Sequence, residues 1–433
     1  MHNDAELTVK EKVTGEPVLP GISTKWFIFY FIWPFASLIA ALRKFREPYA
    51  KTIFWLFCVY FGFVFVYDYI APGKVTADSA YYAEELVKMH ENKITFYELT
   101  DKFYKDKGEI DVYQPLITWM ISLFSGDPRV LFTVFAAIFG FFYTQNLWLI
   151  YNRVTKDINW LLLLLMIYYA LINPVWNING VRMWTAASIF LYGNLVYILN
   201  GKKTGLLWIA ISSLVHFSFL FLILISFIFL IIPKNINGLF IFFIVTSFIG
   251  EIDINFVRGI MSRYLPVIFQ PRIESYLGND YLQIVTESNQ GLSGVVRLNN
   301  LATKLVIYSW ILITFFYLKK QIVFKQEILK IFSLALFLGG FVNLISLLPS
   351  GGRFFVISNS LFCATFILML SVNKINFLKF LQLCTFPLIL YLIVFSLRIG
   401  FNYMGILTFF GNPILSVFVN DQTPLINFIK QLY

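Results

Sequence analysis

Few residues in this chain can do polar chemistry, because only 13% of its 433 residues are Asp, Glu, Lys or Arg. Two arginines open apolar runs. Arg182 lies in Asn177-Ile178-Asn179-Gly180-Val181-Arg182, and Arg353 follows Ser350-Gly351-Gly352. A guanidinium grips oxyanions with two parallel hydrogen bonds, and a helix start adds free N–H groups, so both positions suit a phosphate or a sugar. The glycines before Arg353 let backbone approach a ligand closely. His216, in Ser212-Ser213-Leu214-Val215-His216, can act as general acid or base or contact phosphate. Asp78 is the most attractive candidate base, with Asp111 a second acid. Each residue also has a plainer role. An interfacial arginine snorkels to headgroups, an Asp caps a helix, and a lone His in apolar surroundings is often only hydrogen-bonded. Arg258, Arg263, Arg272 and Arg297 share one long hydrophilic stretch, where an anionic partner would be met.

Some chemistry is disfavoured. The sequence has no Walker A, Gly-x-Ser-x-Gly, His-Glu-x-x-His or Asp-x-Asp motif, which argues against an ATPase, a serine hydrolase of that type and a zinc enzyme. Three scattered His and three Cys, Cys58, Cys363 and Cys384, all inside apolar runs, suggest no metal site, no disulfide and no cofactor. The formal charge of +10 comes from Lys and Arg dispersed in short loops, so nucleic acid is not an expected partner.

The elements holding these residues must be membrane helices. The chain is 58% hydrophobic with 49 Phe, and its mean hydropathy is +0.72. One soluble core cannot hide that much apolar surface. Runs of spanning type are expected near 26–42, 52–71, 130–151, 159–178, 183–200, 205–216, 217–233, 238–251, 302–318, 327–348, 354–372 and 380–400. The expectation is an all-α, polytopic bundle of about 11–12 spans forming one membrane domain over 1–433. Residues 1–25 form a polar tail without a signal peptide, and 401–433 a C-terminal tail. The run 205–216 is short, so the turn after it is expected within the membrane.

Basic residues set the sidedness. Arg43, Lys44, Arg46 and Lys51, then Arg153 and Lys156, Lys202 and Lys203, Lys234, Lys319 to Lys330, and Lys374 and Lys379 all fit on the cytoplasmic side. Loops 72–129 and 252–301 then lie outside. The first run conflicts: it puts the N-terminus outside, or else it lies along the membrane surface. In the first outer loop, Asp78 is expected to cap a helix to about Glu91. Thr95 and Glu98 fit a capping box. Phe96, Leu99 and Phe103 share one face of an amphipathic interfacial helix, with Lys102, Lys105 and Asp106 elsewhere. Asp127-Pro128 starts the next helix.

The order of these motifs resembles the EpsG-like family of bacterial exopolysaccharide polymerases, which are functionally Wzy-like. Residues 173–187, with Arg182 opening a span, are followed by the basic turn Gly201-Lys202-Lys203 and then His216. Thr76-Ala77-Asp78-Ser79-Ala80-Tyr81-Tyr82, Asp111-Val112-Tyr113-Gln114-Pro115 and Gly352-Arg353-Phe354 fit as well. The likeness covers roughly residues 52–400. It implies a fold like the GT-C membrane glycosyltransferases. The implied activity joins undecaprenyl-pyrophosphate-linked glycan repeat units at the outer face of the bacterial inner membrane, without a metal. By the same resemblance Asp78 is the base and His216 a catalytic partner, while Arg182, Arg353, Asn179, Asp111, Tyr113, Gln114 and Arg272 contact pyrophosphate or glycan. Partners would be the lipid-linked oligosaccharide, the bilayer, and the flippase and chain-length regulator of the same pathway. A ligase or polyprenyl-phosphate-sugar transferase is the first alternative. A lipid-glycan flippase is the second, and would want polar residues through both halves of the bilayer.

Overall fold

A computed structural model describes residues 24–69, 77–103, 111–154, 158–264, 266–267, 270–278, 283, 291, 293–320, 326–372 and 379–431. Among these the chain is helical, and one isolated bridge, Phe65 to Met404, is the sole β-type pairing. Lys105 and Asp106 fall outside the described residues, as do the side chains of Lys102, Arg272 and Cys384.

Five helical segments are long and apolar enough to cross a membrane: Pro128–Tyr151, Trp160–Asn200, Gly294–Lys319, Gln326–Ile345 and Gly351–Ser371. The chain is an integral membrane protein. The second segment is interrupted near Asn173-Pro174 and by a 3-10 turn, Val175–Gly180. The helices are α1 (Thr24–Ile32), α2 (Pro34–Arg43), α3 (Pro48–Phe63), α4 (Asp78–Asn92), α5 (Phe96–Phe103), α6 (Tyr113–Ser122) and α7 (Pro128–Tyr151). Next come α8 (Trp160–Ile172), α9 (Val181–Asn200), α10 (Thr204–Val215), α11 (Phe219–Ile231) and α12 (Ile236–Ser247). The remainder are α13 (Ile254–Tyr264), α14 (Gln270–Leu277), α15 (Gly294–Lys320), α16 (Gln326–Ile345), α17 (Phe355–Val372), α18 (Lys379–Gly400), α19 (Ile406–Phe410) and α20 (Leu425–Gln431). One continuous aromatic-rich core runs through the bundle from Tyr30 to Met404. Cys58 and Cys363 are free and buried in it, as expected of small apolar residues.

The first apolar run is not one span. Trp33 leaves helical geometry and Pro34 opens a new helix. The Trp26 ring stacks on Tyr49 at 4.5 Å, and the Tyr30 hydroxyl donates to the Leu56 carbonyl at 2.8 Å, so α1 ascends alongside α3. Phe35 meets Phe57 at 6.2 Å and α2 then descends to the start of α3. The chain reverses at Trp33. Both ends of this helical hairpin lie beside the Arg43–Lys51 loop, which removes the conflict over sidedness.

Helices α9 and α10 form the frame of the site. They pack antiparallel with unusually close backbones. A Cβ on Gly193 would strike the Gly205 carbonyl, so glycine permits the approach. Arg182, near the start of α9, and His216, just past the end of α10, therefore come to the same end of the pair. Helix α10 has 12 residues, about 18 Å at 1.5 Å per residue, against roughly 30 Å of bilayer core. The short run 205–216 is accordingly a short helix followed by a turn, His216 to Ser218, and α11.

Candidate functional site

The turn at His216 is built by its neighbours. The His216 amide donates back to the Ser212 carbonyl, and the Phe219 amide donates to the His216 carbonyl, both at 3.0 Å. His216 itself is extended (φ −150°, ψ 117°), so the helical bonding stops there. The segment before α6 docks on this turn: the Val112 amide donates to the Leu214 carbonyl at 3.2 Å.

That docking buries Asp111 to 2% exposure. Its Oδ1 accepts the Phe217 amide at 2.8 Å. Its Oδ2 lies 2.8 Å from His216 Nδ1 and 3.4 Å from Arg182 Nη1. Burial alone would raise the Asp111 carboxyl. The His216 hydrogen bond and charge, the Arg182 guanidinium and the Phe217 amide together outweigh it and hold the group below the usual carboxylate range. An ionised carboxylate only accepts, so Nδ1 carries the proton toward it and Nε2 is the ring's other nitrogen, facing away from Asp111.

Asp78 stands nearby. It is the first residue of α4, and Ala77 occupies the cap position with no side-chain cap bond. The expected capping by Asp78 is therefore corrected: the helix starts one residue earlier than that role requires. Its carboxylate is exposed and makes no hydrogen bond or ion pair among the described residues. Asp78 Oδ2 would be 3.6 Å from a Cβ placed on Gly180, two residues before Arg182. Asn179 donates to the Tyr403 hydroxyl at 2.7 Å. Burial raises the Tyr403 hydroxyl, and the charges of Tyr69 and Asp78 add to it, which puts Asp78 within electrostatic reach of that pair.

Arg353 lies in the 3-10 turn Gly351–Phe354 before α17, exposed and without a side-chain partner among the described residues. Its neighbour Phe354 packs on Phe219 at 5.7 Å between ring centres, and Phe219 in turn lies 6.4 Å from the His216 ring. The two glycines differ from each other. Gly351 is pressed against the Ile345 carbonyl at the end of α16, so its close approach is internal, while Gly352 faces open space.

Two other expected contacts are set deeper. Gln114 is fully buried and donates to Glu85 at 2.8 Å and Thr118 at 3.0 Å, tying α6 to α4. The buried Tyr113 hydroxyl lies beside Thr185 on α9, without full hydrogen-bond geometry. Arg272 belongs to α14, and its side chain is outside the described set.

The sequence reading gave no role to the C-terminal tail, yet the tail closes this end of the molecule. Val66 donates to the Tyr403 carbonyl at 3.1 Å and Leu425 to the Met404 carbonyl at 2.7 Å. Gln422 accepts from the Tyr67 amide at 3.0 Å. Arg129, beside its capping partner Asp127, reaches the Val417 and Val419 carbonyls at 3.3 Å. Tyr403 also stacks on Phe65 at 5.8 Å. The one signal for this in the sequence is a run of polar and turn-forming residues, Asn402 to Thr423, interrupting apolar ones.

A family model described as the EpsG family matches residues 55–409, well over half of the chain and including Tyr403. No curated protein and no solved structure matches it.

Proposed function

The chain belongs to the EpsG family, a family associated with polysaccharide polymerisation, and from that membership we propose that it is a polymerase joining glycan repeat units carried on a polyprenyl pyrophosphate at the outer face of the bacterial inner membrane. The observation that carries the proposal is the buried Asp111 carboxylate, which holds His216 and Arg182 together at one end of α9 and α10.

The acceptor hydroxyl attacks the anomeric carbon of the donor glycan, and its proton passes to Asp78. The bond from that carbon to the pyrophosphate oxygen breaks, and the electron pair leaves on the pyrophosphate. Arg182 and Arg353 meet the developing charge, so no divalent metal is called for. His216, held through Nδ1, presents Nε2 to the same group. Asp111 is 2% exposed, with both oxygens engaged inside the protein, and acts as a positioning residue. Asn179 and Tyr403 fix the wall beside Asp78.

Conversion of purified lipid-linked repeat units tests this. Asp78→Asn should abolish chain growth with the melting temperature unchanged and donor still retained, because the amide keeps the shape but cannot take a proton. The 2.8 Å bond from Asp111 supports a second reading, with His216 as the base. An active Asp78→Asn enzyme together with a dead His216→Gln one would select that reading. Products one repeat unit long, on an acceptor that is never extended, would instead point to a ligase.

A further inference from the structure

The other end of α9 carries a second feature, independent of the polymerase reading. A cavity of about 310 Å³ lies among the end of α9, the start of α10, the end of α11 and the start of α16. Arg182 stands at the opposite end of α9, a helix of 20 residues and about 30 Å, so the cavity is far from the Asp111 cluster.

Lys203, Lys234 and Lys330 line it. Lys203 and Lys234 come from two different connections and Lys330 from near the start of α16, and none pairs with a carboxylate among the described residues. Lys234 sits over the Phe229 ring at 5.5 Å. Three ammonium groups around one cavity repel one another, and an anion between them relieves that. A second observation points to a ligand too. Ser226, on the cavity wall, is 5% exposed, and its Oγ, itself shielded, has no hydrogen-bond partner, so the hydroxyl must turn outward to meet a ligand. A buried hydroxyl without a partner is costly, and turning it onto a ligand oxygen would relieve that cost. Asn194 and Tyr197 also line it, and the rest of the wall is mainly apolar, including Ile198, Leu206 and Leu230.

A free inorganic anion would use the lysines and leave the apolar wall bare. We propose that this cavity binds the phosphate headgroup of an anionic membrane phospholipid, with the lysines around the phosphate, Ser226 donating to it and the apolar wall against the glycerol and upper acyl chain. The lysine-rich turns also match the side expected to face an anionic leaflet.

The test uses the full chain in neutral detergent micelles, titrated with phosphatidylglycerol, phosphatidylcholine or inorganic phosphate. Native mass spectrometry reads retained lipid, and thermal melting reads stabilisation. Phosphatidylglycerol should be retained and should raise the melting temperature, while the other two should do neither. A variant carrying Lys203→Gln, Lys234→Gln and Lys330→Gln should retain phosphatidylglycerol at least about tenfold less. Its melting temperature without lipid should be no lower than that of the unmodified chain. Ser226→Val, which changes no charge, should weaken retention by itself, and it decides the matter if the triple variant fails to fold. Unchanged retention in both variants, or equal stabilisation by inorganic phosphate or phosphatidylcholine, would overturn the proposal.

Discussion

Asp111 answers to three donors at once: the His216 imidazole and the Phe217 amide, neighbours in one turn, and the Arg182 guanidinium from α9. Removing it leaves Arg182 and His216 without their common anion. Asp111→Ala should cost about 3 kcal/mol, the scale for breaking a buried ion pair, seen as a lower denaturation midpoint, and activity should fall with it. Asp111→Asn keeps one acceptor and should cost less. The pH dependence has a definite sign. A carboxyl held below its ordinary range contributes stability above that range and loses it as pH falls through the lowered value. The stability gap between the unmodified chain and Asp111→Asn should stay flat from neutral pH to about pH 4, near the unfolded carboxyl value, and close below it. A gap that closes between pH 7 and pH 5 would contradict the assignment. At this scale Arg182, His216 and Arg353 stood out as candidates because polar groups are costly among apolar runs. The anchor shared by Arg182 and His216 was harder to see. Asp111 stands 105 positions from His216, and nothing local separates a buried positioning carboxylate from a substrate contact. Tyr403 was missed since a tyrosine in an apolar chain carries no such cost.

Elements follow local rules where the pattern is local. Thr95 and Glu98 form the expected reciprocal cap on α5: the Thr95 amide donates to Glu98 Oε2 at 2.7 Å and the Glu98 amide to Thr95 Oγ1 at 3.3 Å. Thr95→Ala should cost about 1 kcal/mol, read by faster hydrogen exchange confined to 96–103, with polymer synthesis retained. Asp127 likewise caps α7, accepting from the Arg129 amide at 2.9 Å with Pro128 in the first turn. The apolar face of α5 shows where local pattern stops being enough. Leu99 and Phe103 are buried on Met89 of α4, and Phe96 packs on Trp119 of α6 at 5.3 Å. Most of that face is thus covered by protein, and periodicity cannot distinguish a helix partner from lipid. The same limit explains the first run. Its composition fits a span, and the reversal depends on one extended residue, Trp33, before Pro34. Gly351→Ala tests the turn that carries Arg353. Its new methyl would collide with the Ile345 carbonyl, so it should lower thermal stability and reduce activity together, whereas Gly352→Ala, which faces open space, should do neither.

For the whole molecule, the all-helical polytopic membrane class was legible, since composition is a sum over many residues, whereas about 11–12 spans were expected and five helical segments among the described residues are long and apolar enough to cross. The reversal at Trp33 makes the topology concrete: the N-terminal segment lies at the same end as the Arg43–Lys51 loop. Single cysteines placed at Lys25 and at Lys202 should both be protected from a membrane-impermeant reagent on intact cells, and one at Asn92 should react. Labelling at Lys25 with protection at Lys202 would contradict the hairpin. The seal over the Asp78 side has a further consequence, in the order of events during synthesis. The Tyr67 amide waits for Gln422, which leaves the ribosome 355 residues later, and Asn179 waits 224 residues for Tyr403. Membrane helices enter the bilayer one after another as they are made, so through most of translation the Tyr67 amide and the Asn179 side chain stay open and the wall beside Asp78 is not yet built. On the proposed reading, a nascent chain should therefore stay inactive until Tyr403 and Gln422 have been made, and a ribosome stalled before codon 403 should leave an inserted bundle that makes no polymer.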